Sequence, residues 1–74
     1  MKEYIADLLH KKIRVYLHHD YPDEKAGLRI EGIVEGYKDK AFMIRAGLYN
    51  YTSQKLETHL CIIEYSKVRF VAIL

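Results

Sequence analysis

The chain of 74 residues has no tryptophan, one proline, one cysteine and four glycines, and each scarcity narrows what it can be. A single cysteine, Cys61, excludes an internal disulfide. No Cys and His residues stand at the spacing of a zinc module. A domain this small buries roughly 60% of the surface its unfolded chain exposes, so a lone core is marginal. With disulfide and metal set aside, oligomerisation is the supplement that remains. No apolar stretch approaches the roughly 20 residues of a membrane span. The N-terminal MKEYIADLL carries acidic residues and too short an apolar run for a secretory signal, so a cytoplasmic protein without a membrane partner is expected. The basic excess is small, a net charge of +2, which permits nucleic acid without demanding it.

Catalytic patterns are missing too. There is no nucleophile elbow, no phosphate-cradling glycine loop and no metal pair. His18 and His19 are adjacent, and neighbouring residues of a strand point to opposite faces, so they do not share an ion. Asn50-Tyr51-Thr52 matches a glycosylation sequon, incidental in a chain without a secretory signal. The expectation is a binding scaffold, not an enzyme, with no cofactor.

What the chain does have is glycine in an unusual place. Gly27, Gly32 and Gly36 fall within the apolar/polar alternation GLRIEGIVEGYKDKAFMI. Glycine inside a strand adds no side chain and weakens it, so its recurrence there signals a bend, a bulge or a close backbone approach. A strongly bent strand is how a very small sheet curls into a barrel. Around it the pattern predicts a short helix over Met1–His10, with Ile5, Leu8 and Leu9 at helical spacing. A strand over Ile13–His18 follows, with Ile13, Val15 and Leu17 inward, and then a polar loop over His19–Ala26. The glycine-bearing strand spans Leu28–Tyr37, Lys38-Asp39-Lys40 is a tight turn, and Ala41–Arg45 is a third strand. Gly47–Glu57, rich in Tyr, Asn, Ser and Thr, reads as a long loop before strands at Thr58–Tyr65 and Val68–Leu74.

Those last two strands hold nearly continuous apolar runs, Leu60–Ile63 and Phe70–Leu74. Such strands are covered on both faces or capped by another subunit. A free edge reading VRFVAIL is an aggregation hazard unless it pairs with a neighbouring chain. Repeated head-to-tail pairing produces a ring when the rotation closes.

This layout of a short helix and five bent strands resembles the Sm-like superfamily of Sm, LSm and bacterial Hfq proteins. The resemblance covers nearly the whole chain. Its first signature falls on Ile13–Leu17, Gly32-Ile33-Val34-Glu35-Gly36-Tyr37 and Phe42-Met43-Ile44, and its second on Ile63-Glu64-Tyr65 with Val68 and Val71. It implies one domain over residues 1–74, a mostly β fold with a short N-terminal helix and a five-stranded, strongly bent small barrel. It also implies a homo-oligomeric ring of about five to eight copies with single-stranded RNA at the central pore. The chain departs from the family at functional positions. Lys38 stands where Asp is usual, Phe42 where Sm proteins carry a base-contacting Asn, and Glu64-Tyr65 in place of Arg-Gly. Hfq's Tyr-Lys-His has no counterpart here.

The resemblance places Lys38, Lys40, Tyr65 and Lys67 beside the pore as candidate RNA-binding residues. The lysines would meet phosphates and Tyr65 would stack on a base. The competing readings are an ordinary charged hairpin turn, a packing tyrosine and a solvated lysine. A protein-interaction or structural oligomer on an Sm-like or SH3-like barrel, without nucleic acid, is the alternative function.

Overall fold

The computed structural model describes residues 1–18 and 29–74; Gly27, His19, Asp20 and the loop expected over His19–Ala26 lie outside them. Within the described residues the chain forms α1 (Lys2–Asp7), β1 (Lys12–Leu17), β2 (Arg29–Tyr37), β3 (Ala41–Asn50), β4 (Lys55–Glu64), a 3-10 turn (Tyr65–Lys67) and β5 (Val68–Ile73). Every neighbouring pair of strands is antiparallel. The fold is mostly β, as the alternation predicted.

The helix is shorter than the expected Met1–His10. The cause is a competing claim on its C-terminal residues. His10 takes a left-handed conformation, with φ of 67°, which histidine tolerates better than most residues. Its N–H then donates to the Val34 carbonyl at 2.8 Å, and the Val34 N–H donates to the Lys11 carbonyl at 3.1 Å. The last regular pair between β1 and β2 is Lys12 with Ile33, so residues 10 and 11 continue that ladder instead of the helix. A helix this short is held by packing and not by its own hydrogen bonds. Ile5 and Leu8 supply that packing, buried with Ile13, Val15, Val34, Phe42, Ile44, Ile63 and Val68 in one core.

The strand order is β4-β3-β2-β1-β5. β4 and β5, the strands a closed barrel would join, are the two edges, and the sheet does not close through them. It does fold over. The ladder between β2 and β3 ends at Gly32 opposite Ala46. Beyond that point β2 pairs only with β1, over Arg29–Glu31, while β3 pairs only with β4, over Gly47–Asn50. The sheet thus splits at Gly32 into two diverging halves. A further register shift between Val34 and Gly36 and another between Tyr16 and Leu17 add local twist. The bend brings β4 over β1 and β2: Cys61 and Ile63 share a cavity of about 250 Å³ with Leu17 and Ile30. Cys61 is half-buried there.

One expectation about the second half of the chain is corrected. Gly47–Glu57 is not a loop. β3 runs on to Asn50 and β4 begins at Lys55, in an unbroken ladder from Ala41–Glu64 to Asn50–Lys55. Asn50 turns the chain at the tip, its Oδ1 accepting the N–H of Thr52 at 2.9 Å and of Ser53 at 3.2 Å, while Gln54 takes φ of 58°. The strand residues here are exposed on both faces, so no burial pattern marks them. The apolar runs of β4 and β5 are covered within the chain on one face only: Ile63 is in the core with Cys61 and Val71 packed against it, while Leu60, Ile62, Phe70 and Ile73 are exposed, and Leu56 nearer the start of β4 is exposed too.

Gly32 is the steric condition for the split. A Cβ there would lie 2.2 Å from the Arg45 carbonyl oxygen and 2.8 Å from its carbon, and backbone cannot swing aside. At Gly47 a Cβ would meet only the Leu56 side chain, at 3.6 Å. We expect Gly32→Ala to lower the unfolding free energy by about 1–3 kcal/mol or more, and Gly47→Ala to leave it unchanged or raise it by about 0.4–1 kcal/mol. Urea denaturation of the two variants checks this; equal midpoints would refute the close-approach argument.

Candidate nucleic-acid interface

Two turns meet at one corner of the sheet. The first joins β2 to β3, its residues Lys38, Asp39 and Lys40 all exposed and closed by the Lys38 N–H donating to the Ala41 carbonyl at 2.7 Å. The second is the 3-10 turn Tyr65–Lys67 between β4 and β5. Tyr65 ties them together. Its N–H donates to the Lys40 carbonyl at 3.0 Å, and its hydroxyl donates to the Lys38 carbonyl at 2.7 Å. Its ring stacks on Phe42, with centroids 5.7 Å apart and planes inclined by 13°.

Three of the four candidate residues, Lys38, Lys40 and Tyr65, therefore share this corner. The side chains of Lys40, Asp39, Glu64, Tyr65 and Ser66 surround an open concavity floored by Ile62. Lys67 does not join them. It lines the adjoining cavity of Leu17, Ile30 and Cys61, which shares Ile62 and Glu64 with the first, and its carbonyl accepts the N–H of His18 at 2.8 Å. Among the described residues no carboxylate pairs with Lys38, Lys40 or Lys67, and no cation pairs with Glu64.

Phe42 and Tyr65 have physically linked roles. Phe42 is completely buried and belongs to the core. Its ring supports one face of Tyr65. Burial pushes the Tyr65 phenol above its ordinary range, while the charge of Lys2 pulls it back. With the hydroxyl engaged and one ring face covered, Tyr65 has a defined structural duty: it holds the β2–β3 turn against the β4–β5 turn.

Sequence reasoning passed over Lys2. Its ammonium forms an ion pair and hydrogen bond with the Asp39 carboxylate at 2.5 Å. That hydrogen bond and charge hold the Asp39 carboxyl below the usual carboxylate range and raise the Lys2 ammonium. The two residues are 37 positions apart, on a helix and a turn that only the fold brings together, and no local pattern announces the pair.

Tyr65 yields a test with two readouts. Tyr65→Phe removes the hydrogen bond to Lys38 and is expected to cost about 1 kcal/mol of stability at neutral pH. The raised phenol pKa means that the folded state holds its proton more tightly than the unfolded state. This contribution is complete below the ordinary tyrosine value of about 10 and is lost as pH rises through the higher folded value. The variant should therefore lose stability less steeply than the parent above about pH 10, and ultraviolet titration should lose one phenol that ionises above the ordinary tyrosine range. Identical alkaline profiles would refute the assignment.

No family model, no curated protein and no solved structure matches the chain, so what the corner does has to be argued from its own geometry.

Proposed function

We propose that the chain is a ring-forming Sm-like protein that binds single-stranded RNA at the central pore. One observation carries the reading: the order β4-β3-β2-β1-β5 leaves β4 and β5 as opposite edges, and both edges expose large apolar side chains. Addition of β4 from one copy to β5 of the next continues the sheet across the junction and covers both. The two patches differ, so the contact is heterologous, and its repetition closes a ring when the rotation allows. Within such a ring each unit is the strongly bent small barrel of this superfamily, and the turns at Lys38–Lys40 and Tyr65–Lys67 recur once per copy. Lys38 and Lys40 supply phosphate contacts, and their repetition multiplies affinities that are weak singly.

A second reading has its own support. Tyr65 is stacked on Phe42 and hydrogen-bonded to Lys38, and Phe42 is buried, so the aromatic pair is committed to structure and not held open for a base. This favours an oligomeric protein-interaction module on the same scaffold, without nucleic acid.

Fluorescence anisotropy with labelled uridine-rich and adenine-rich single strands separates the two. The RNA reading predicts binding whose log K falls linearly with log salt. Lys38→Ala or Lys40→Ala should weaken it and flatten the slope by about 0.7 for each phosphate that is no longer neutralised. Absence of binding to either strand at low salt contradicts the RNA reading and leaves the interaction module.

A further inference from the structure

We propose that Lys2 is the counter-charge that keeps Lys38 and Lys40 uncompensated: by engaging Asp39 from α1, it prevents the turn's own carboxylate from cancelling the two lysines that flank it. The consequence for an anionic ligand rests on the RNA reading above; the charge pairing itself does not.

Asp39 stands between two lysines, yet its carboxylate bonds Lys2, 37 positions away, and no carboxylate among the described residues pairs with either flanking lysine. The other acid at the concavity is Glu64. Without Lys2, the charges of Lys38 and Lys40 are balanced by those of Asp39 and Glu64, and the corner is neutral. With Lys2 bound to Asp39 it is net positive. Glu3 and Tyr37 lie near enough to act on Lys2, and Tyr65 stands beside the pair. Glu3 pairs with the Met1 ammonium at 3.7 Å, so it adds no net charge, and the two tyrosines add no positive one; Lys2 therefore makes the corner's balance one charge more positive. Its anchor is sound, because α1 is held by the buried Ile5 and Leu8 and by the bonds of His10 and Lys11 to Val34. Lys2 is thus a positioning residue, acting on the ligand through Asp39 and not by contact.

A double-mutant cycle distinguishes this from the alternatives. Lys2→Gln, Asp39→Asn and the combined variant are titrated with the same labelled RNA strands at low salt, with circular dichroism to confirm that each is folded. Lys2→Gln should weaken binding by about two- to fivefold, the effect of one surface charge. Asp39→Asn should bind more tightly than the parent, and the combined variant should return to about parental affinity, because it loses one negative and one positive charge and keeps the corner's balance as in the parent. A combined variant as weak as Lys2→Gln would show that the Asp39 charge does not act on the ligand and overturn the proposal, as would parental affinity in Lys2→Gln. If the parent binds no RNA, the RNA reading fails on its own, and carboxyl-carbon NMR decides the pairing. An Asp39 midpoint at lower pH in the parent than in Lys2→Gln supports it. Coincident midpoints overturn it.

Discussion

Backbone N–H and C=O groups demand partners, and an antiparallel sheet meets that demand everywhere except along its edges. In this chain the edges are β4 and β5. Natural edge strands are usually short, charged, interrupted by proline or covered. β4 is instead ten residues long, and it exposes Leu56, Leu60 and Ile62, while β5 exposes Phe70 and Ile73. Unpaired polar backbone and uncovered apolar side chains thus coincide on both borders of the sheet. Hydrogen bonding and hydrophobic burial ask for the same remedy, another strand. The proposed assembly through the two edges rests on this shared deficit, and in it the corner of Lys38 and Lys40 would recur once per copy.

The bend determines what lies near those edges. Because β2 and β3 part at Gly32, β4 folds over β1 and β2, and its Ile63 joins the core with Val15 and Val68. Because the same strands stay paired from Gly32 to Tyr37, the β2–β3 turn ends beside the β4–β5 turn, where Tyr65 bonds both Lys38 and Lys40. Close approach at a single glycine and one tyrosine's two hydrogen bonds together bring residues about a third of the chain apart into one surface. The ion pair of Lys2 with Asp39 then fastens the helix to that surface.

Much of this is legible in the amino-acid sequence. Ile13 and Val15 point inward as their alternation says, Ile5 and Leu8 pack as their helical spacing says, and Gly32 stands at a close approach as its position inside a strand implies. Other features are hidden for physical reasons. The β3–β4 ribbon is exposed on both faces near its tip, so burial leaves no period to read, and Asn50 and Ser53 there serve the turn. His10 abandons the helix for a bond to Val34 that is distant in sequence. At the corner, the lysines can be named from the sequence, but the stacking and hydrogen bond of Tyr65 and the pairing of Lys2 with Asp39 depend on contacts across more than 20 residues, which no local pattern encodes.

The central claim is that the exposed edges of β4 and β5 are completed by copies of the same chain. Native mass spectrometry at micromolar concentration tests it most directly. The account predicts one closed species of about five to eight copies of the chain, reduced to smaller species when Ile62 on β4 or Phe70 on β5 is replaced by lysine. A parent protein that stays monomeric across that concentration range would contradict it.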